Sequence, residues 1–206
     1  MVEYCRLVSE APVSVTSLAS VKAIERELVD DALAAMPVIG SRLPQHAVDV
    51  GSGNGSPGIP LALAYGAPVT LVESVGRKAA FLVATARALG VEAEVVAERS
   101  EVYGRGAGRD RFSLAMARAL APPPVAAELC LPLVRCGGRV VLWTGAVDAA
   151  ALEVVAGRLA AELSRVVPYG GRSLVELTKT GPTPEAFPRR PGMAGKRPLA
   201  PLPSTR

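Results

Sequence analysis

The feature that most constrains the fold is residues 47–60, where a short apolar run meets a glycine-rich turn and then a helix-forming stretch. An apolar run bounded by turn residues is typical of a buried strand in a parallel sheet. Gly51, Gly53 and Gly55 allow a sharp turn and let a ligand lie against the backbone. Pro57 can begin the following helix, because the N–H that it lacks would have no partner there. The stretch therefore predicts the strand–turn–helix unit of an α/β fold, with a ligand at the turn.

The spacing of the glycines indicates which ligand the turn would hold. Dinucleotide-binding turns follow Gly-x-Gly-x-x-Gly or Ala, with backbone N–H groups aimed at a pyrophosphate. Gly51 and Gly53 fit this pattern, but Ser56 occupies its last position. Asp49 lies two residues before Gly51, where a carboxylate could orient the loop, and it suits a cationic sulfonium with a free amino group better than phosphates. The turn therefore favours S-adenosylmethionine, while a nicotinamide dinucleotide and a turn without any ligand stay open.

Composition limits the class of protein further. Half of the 206 residues are apolar, which is enough for a sizeable core in one domain. No apolar run reaches the length of a membrane span, and the first residues lack the layout of a signal peptide. Cys5, Cys130 and Cys136 have no metal-site spacing, so we expect reduced thiols, no metal, no membrane partner and a cytoplasmic location. The net charge of +4 permits an anionic partner without requiring one.

Apolar runs alternate with helical patterns along most of the chain. The alternation predicts five strand–helix repeats followed by an antiparallel pair joined at Gly170-Gly171. Such an order predicts a doubly wound, mostly parallel sheet with a hairpin at one edge. The predicted strands are residues 47–50, 69–72, 91–97, 112–117 and 139–143, and the hairpin strands are residues 165–169 and 173–179.

The segments between and before the strands carry weaker signals. Apolar residues at helical spacing predict a helix over residues 18–36, ended by Pro37 and Gly40, and another over residues 152–163. Residues 104–111 are polar and rich in glycine, so we expect a disordered loop, with a contact to RNA as the weaker alternative.

Charged and polar residues follow the predicted strands at the edge where such sheets bind ligands. Glu73 follows the second strand, about 20 residues after the glycine turn, which is the separation at which an acid binds a ribose in nucleotide-binding α/β folds. Ser100 and Glu101 come soon after the third strand, and Arg118 follows the fourth. We therefore expect these side chains to lie near the ligand.

The chain divides by composition into an N-terminal helical segment, residues 1–45, an α/β domain, residues 46–180, and a basic, proline-rich tail, residues 181–206. The prolines of the tail exclude regular structure. Its cations suit phosphates, because guanidinium forks match phosphate oxygens, yet a solvated tail fits the composition equally well. The cations assigned to RNA are Arg189, Arg190, Lys196 and Arg197, and Arg206 adds further positive charge.

Several motifs, taken in order, resemble those of one family. They are residues 49–61, Asp-Val-Gly-Ser-Gly-Asn-Gly-Ser-Pro-Gly-Ile-Pro-Leu, then Arg99 and Glu101, then residues 117–119, Ala-Arg-Ala, then residues 179–184, Lys-Thr-Gly-Pro-Thr-Pro, and residues 187–192, Phe-Pro-Arg-Arg-Pro-Gly. The chain is similar in these motifs to the bacterial small-subunit ribosomal RNA guanine-N7 methyltransferases, also called glucose-inhibited division protein B. The similarity extends from about residue 47 to about residue 199.

The resemblance implies a class I, Rossmann-like methyltransferase fold with S-adenosylmethionine as cofactor. It also implies ribosomal RNA or an assembled small subunit as partner, and we expect a monomer. No general base is needed, because guanine N7 carries a lone pair and no proton, so we expect no catalytic residue in the usual sense. Carried over by position, the cofactor contacts are Gly51, Ser56, Ser100, Glu101 and Arg118, with Glu73 at the ribose; the turn adds Asp49, Gly53 and Gly55.

This chain departs from the family pattern at particular positions. Ser56 stands where the family usually has a bulky apolar residue, Ser113 where it has an aspartate, and Thr144 where it has a lysine. The N-terminal helical region is also shorter than usual. These departures leave open a second class of function, a relative that binds RNA or the ribosome without transferring a methyl group.

Overall fold

A computed structural model of the chain describes residues 1–202. They form two compact units, Met1–Glu98 and a second unit that begins at Arg99. The segment boundaries expected after residues 45 and 180 stay predictions. The end of the predicted tail, residues 203–206, lies outside the described residues.

The strands of the first unit are parallel and run in the order β3-β2-β1. Every residue of β1 and β2 is buried, as their mostly apolar sequences predict, whereas the outer strand β3 is partly exposed and shorter than predicted. Gly66 and Gly90 end the two intervening helices in the left-handed conformation, as glycines at helix ends commonly do. The elements are β1 (Ala47–Val50), α5 (Gly58–Tyr65), β2 (Val69–Val72), α6 (Gly76–Leu89) and β3 (Ala93–Val96).

The N-terminal part of the first unit is more helical than predicted. A helix over Val2–Ser9 has Tyr4, Cys5 and Val8 buried on one side, and no sequence pattern had indicated it. The helix expected over residues 18–36 begins after its N-cap Ser20 and contains a π-helical turn. The elements are α1 (Val2–Ser9), α2 (Val21–Ile24), the π-helical turn (Glu25–Asp30), α3 (Asp31–Leu33) and α4 (Met36–Ile39).

In the second unit the order is β4-β5-β7-β6, with β4 and β5 parallel and the others antiparallel. β5 starts earlier than predicted, because the pairing with β4 continues past an irregularity between Phe112 and Leu114. The helix predicted to reach residue 163 is wrong at its end, since Leu163 pairs with Leu177 in the hairpin. The elements are α7 (Ser100–Tyr103), β4 (Phe112–Arg118), α8 (Pro123–Cys130), a 3-10 turn (Leu131–Leu133), β5 (Val134–Thr144), α9 (Ala149–Arg158), β6 (Ala161–Tyr169), β7 (Arg172–Lys179) and α10 (Met193–Lys196).

Within residues 1–202 the strands are mostly parallel, with one antiparallel C-terminal hairpin, so the predicted doubly wound α/β class is confirmed. In the same residues, no helix combines the length and apolarity that a membrane crossing requires. Nor do three His, Cys, Asp or Glu side chains in this range come together as metal ligands would.

The expectation of disorder for residues 104–111 is wrong. Gly108 is buried so closely against Tyr103 that a Cβ atom there would lie 2.5 Å from the ring. Arg109 and Asp110 in the same loop bond to residues of the tail. The tail in turn contains the short helix α10, despite its prolines. Both segments are ordered by contact with each other, which the composition of either one alone does not indicate.

Candidate cofactor and RNA sites

The glycine turn between β1 and α5 has a backbone that only glycine adopts readily. Gly51, Gly53 and Gly55 have φ angles of 74°, 51° and 97°, all in the left-handed region. The amides of Gly51 and Ser52 donate to the carbonyl of Val72, at 2.8 and 3.1 Å, which ties the start of the turn to the end of β2. The turn is therefore a fixed structure on its β2 side.

Asp49 is buried at the end of β1 and orients the start of α5. Its Oδ2 accepts a hydrogen bond of 3.1 Å from the amide of Gly58. A Cβ atom on Gly58 would lie 2.9 Å from Asp49 and 2.7 Å from Leu71, so this approach requires glycine. Of the roles that the sequence left open for Asp49, the structure provides the one in which it orients the loop.

Glu73 lies directly against the glycine turn. Its Oε2 accepts from the amide of Gly53 at 3.0 Å, and its Oε1 accepts from the amide of Val75 at 2.7 Å. Each carboxylate oxygen has a further lone pair with which it could accept a bond from a hydroxyl group. Beside Gly53 the space is open, since a Cβ atom there would meet nothing closer than the Gly51 carbonyl at 3.7 Å. The structure therefore brings together residues 20 positions apart at an open stretch of backbone, and this arrangement fits a ribose-bearing cofactor.

Ser56 and Gly55 lie at the end of the turn and face inward. The Ser56 hydroxyl is buried and donates to the carbonyl of Leu28 at 2.7 Å. A Cβ atom on Gly55 would lie 2.6 Å from the Ile59 side chain. The Ser56 side chain is thus engaged by the N-terminal helices.

The other expected cofactor residues belong to the second unit. Glu101 is buried, and its Oε1 accepts from the amide of Gly192 at 2.8 Å and from Arg99 at 2.9 Å. Burial by itself would raise the pKa of Glu101, but the bonds from Arg99 and Gly192 outweigh it and lower the pKa. Through Gly192, Glu101 contacts the tail, which the sequence did not predict. The Ser100 hydroxyl lies 3.5 Å from Glu101, and Arg118, at the end of β4, is half-buried.

Arginines of the loop at residues 104–111 hold the tail through its carbonyl groups. Arg109 donates to the carbonyls of Phe187 and Thr183, each at 2.6 Å, and Arg105 donates to Pro188 at 2.9 Å. Prolines have no N–H, so a proline-rich segment leaves many carbonyls that helices and sheets cannot pair. The excess of carbonyl groups in the tail, together with the arginines of residues 104–111, is the signal by which this contact could have been predicted.

The cations of the tail fall into two kinds. Arg189 makes a two-pronged ion pair with buried Glu128, with both distances 2.6 Å. Arg190, Lys196 and Arg197 are more open to solvent. Among the described residues of the tail, these side chains present their charge to solvent, so the tail can offer a cationic surface without Arg189.

Comparisons with known proteins now decide the family. The family model described as rRNA small subunit methyltransferase G matches residues 1–170. The chain belongs to this family. A protein of that name from Chloroflexus aggregans is 41% identical over 167 residues, which cover 76% of this chain and 70% of the relative. Another, from Symbiobacterium thermophilum, is 39% identical over 186 residues, covering 82% and 76%. The resemblance inferred from the motifs is confirmed.

Solved structures support the fold. A MtNAS mutant in complex with S-adenosylmethionine has a TM-score of 0.60 at 21% identity, over 86% of this chain and 71% of that one. A hypothetical protein of Thermus thermophilus has a TM-score of 0.59 at 24% identity, over 84% and 96%.

Substitution of Glu73 tests whether this residue belongs to the cofactor site. Glu73→Gln removes the charge that would accept from the ribose hydroxyls, and hydrogen bonds to charged groups contribute about 1.5–3 kcal/mol. We expect the Kd for S-adenosylmethionine, measured by calorimetry, to rise about 10- to 100-fold. Glu92→Gln, an exposed acid before β3, is the matched control. Equal affinities for the two variants would exclude Glu73 from the site.

Proposed function

We propose that this protein transfers the methyl group of S-adenosylmethionine to N7 of a guanine in small-subunit ribosomal RNA. Membership of the rRNA small subunit methyltransferase G family carries the proposal. As a member of that family, the chain is an S-adenosylmethionine-dependent rRNA methyltransferase. Family membership also favours S-adenosylmethionine over the nicotinamide dinucleotide that the glycine turn left open.

The cofactor would be held by the turn and by the strand ends. Asp49 and Gly58 fix the turn, Glu73 meets the ribose hydroxyls, and Gly51 and the open backbone at Gly53 lie against the ligand. This part of the proposal is supported by the open space beside Gly53, next to a carboxylate. In the second unit, the resemblance assigns cofactor contacts to Ser100, Glu101 and Arg118.

The protein contributes position rather than proton transfer. When bound, the cofactor supplies a methyl group on a cationic sulfur, and guanine N7 can attack it without losing a proton. Aligned reacting groups can gain about 7–11 kcal/mol from orientation in favourable cases. The glycine turn, with Asp49 and Glu73 beside it, would therefore hold the cofactor in a fixed position, which is what this reaction needs from the protein.

Solvent-facing cations of the tail would bind the RNA backbone. We assign this role to Arg190, Lys196 and Arg197, while Arg189 holds the tail to the domain through Glu128. Contacts to phosphates are largely independent of sequence and release counterions, which makes binding dependent on salt.

A triple variant tests the assignment of the tail. Replacing Arg190, Lys196 and Arg197 by alanine should make the plot of log affinity against log salt concentration shallower by about 2–3, at 0.7–0.9 per phosphate lost. Thermal stability should not change, because these side chains face solvent. Arg158→Ala, an exposed arginine on α9, is the control and should leave the slope unchanged. An unaltered slope in the triple variant would place RNA elsewhere.

The proposed activity itself is tested by incubating the purified protein with S-adenosylmethionine and either naked small-subunit rRNA or assembled subunits. Mass spectrometry of the digested RNA should show a single new 7-methylguanosine in at least one substrate. RNA binding without methyl transfer would instead identify a non-catalytic relative. We further infer a monomer that acts in the cytoplasm, where such a substrate would be present; sedimentation at working concentration tests the monomer.

A further inference from the structure

The N-terminal segment reaches the glycine turn through polar contacts. Tyr4 of α1 is fully buried, and its hydroxyl donates to the carbonyl of Asn54 at 3.2 Å. The Asn54 side chain in turn donates to the carbonyl of Val15 at 3.4 Å. These bonds join positions 50 and 39 residues apart, so they are tertiary contacts that hold the turn at Asn54.

Ser56 makes a second connection, to the π-helical turn at Glu25–Asp30. Its buried hydroxyl donates to the carbonyl of Leu28, inside that turn, at 2.7 Å. π-Helical turns are rare and occur often at functional sites. The Ser56 amide also donates to Asn54 Oδ1 at 3.0 Å, which links the two connections.

We propose that Tyr4 and Ser56 are positioning residues for cofactor binding, acting through the glycine turn. This rests on the proposed function, in which that turn holds S-adenosylmethionine. Glycine has more backbone freedom than any other residue, so a turn with three glycines loses much entropy when a ligand fixes it. Tyr4 and Ser56 restrict the turn before the ligand arrives, and such preorganisation lowers the cost of binding. The N-terminal segment thereby contributes to cofactor binding through its contacts with the glycine turn.

Single-atom variants test the proposal. Tyr4→Phe and Ser56→Ala each remove one hydroxyl, and a neutral hydrogen bond contributes about 0.5–1.5 kcal/mol. We expect each variant to raise the Kd for S-adenosylmethionine about 2- to 12-fold and to raise KM for the cofactor in step, with kcat at saturation nearly unchanged. Hydrogen exchange at residues 51–56 should become faster in both variants.

Tyr65→Phe is the matched control. The Tyr65 hydroxyl also donates to a carbonyl of the N-terminal segment, that of Gly40 at 2.8 Å, but from the end of α5 away from the turn. It should lower thermal stability by less, because this bond is exposed to solvent, and it should leave the Kd unchanged. Wild-type affinity in Tyr4→Phe, or a Kd raised equally in Tyr65→Phe, would overturn the positioning role, and Tyr4→Phe alone suffices if Ser56→Ala does not fold.

Gly53→Val distinguishes the positioning role of Tyr4 and Ser56 from the proposal that the glycine turn binds the cofactor. A β-branched residue is strained at the φ angle of 51° found there, so the turn would be distorted directly. If Gly53→Val, shown to be folded, binds the cofactor as the wild type does, the turn is not the cofactor site. If it abolishes binding while Tyr4→Phe and Ser56→Ala bind normally, only the positioning role is overturned.

Discussion

Replacing Arg189 by alanine is expected to lower the free energy of unfolding by about 3–5 kcal/mol, the usual cost of removing one partner from a buried ion pair. The side chain of Glu128 is only 2% exposed, and both of its oxygens accept from the Arg189 guanidinium at 2.6 Å. Without Arg189, a carboxylate on α8 would be left buried and uncompensated. Denaturant unfolding at neutral pH measures the loss.

Two further variants separate the ion pair from other effects of the substitution. Arg189→Lys keeps the charge but cannot form the two-pronged contact, so we expect an intermediate loss. Arg189→Ala combined with Glu128→Leu removes the buried charge as well and should recover most of the stability. Arg190→Ala, one residue along in the tail, should leave stability within about 0.5 kcal/mol.

Unchanged stability in Arg189→Ala would contradict the role of Arg189 as the residue that holds the tail. If Arg189→Ala leaves stability unchanged but makes RNA binding less dependent on salt, Arg189 contacts phosphate as the composition first suggested. If it lowers stability and leaves the salt dependence unchanged, Arg189 anchors the tail. The two measurements together therefore assign the residue to one role.

Elements whose signals are local were predicted well from the sequence. The strands β1 and β2 are mostly apolar, and the glycines that end α5 and α6 adopt the left-handed conformation common at helix ends. Errors arose where distant contacts decide the structure. The loop containing Arg109 is held by residues 74 and 78 positions away, so its composition alone suggested disorder.

Similar reasoning applies to the candidate site. Spacing identified Glu73, because strand ends of a parallel sheet meet at one edge, and its contact with Gly53 follows from that geometry. Spacing could not indicate the direction of the Ser56 and Glu101 side chains. Leu28 and Gly192, which accept or donate those bonds, lie 28 and 91 residues away. Tyr4 was missed because a single buried hydroxyl has no sequence signature.

A buried lysine supports the second unit in a way that the sequence did not reveal. The side chain of Lys179, at the end of β7, is fully buried. Its Nζ donates to the Thr183 hydroxyl at 2.6 Å, to the Leu131 carbonyl at 3.1 Å and to Asp110 at 3.3 Å. Burial lowers the pKa of Lys179 and the negative charge of Asp110 opposes that shift. The cluster joins the hairpin, the loop at residues 104–111 and the tail.

Asp110 is the residue whose removal should disturb this cluster most. Burial would raise its pKa, but bonds from Thr183 and the charge of Lys179 outweigh burial and lower it. A carboxyl group with a lowered pKa stabilises the fold above its unfolded pKa, about 3.9, and loses that contribution as the pH falls through the folded value. Asp110 therefore contributes fully at neutral pH and progressively less in acid.

Asp110→Ala is accordingly expected to cost on the order of 3 kcal/mol at pH 7, the lower end for a broken buried pair, because the Asp110 side chain is itself 27% exposed. Its φ angle of 47° adds strain for alanine, whereas Asp110→Asn tolerates that conformation and isolates the loss of charge. The difference between wild type and Asp110→Asn should shrink between pH 7 and pH 3 in denaturant unfolding. Lys179→Met in the Asp110→Asn background should restore stability, because it removes the buried cation that Asp110 compensates. A constant difference across that pH range, or no recovery in the double variant, would show that Asp110 acts through its hydrogen bonds to Thr183 and not through its charge.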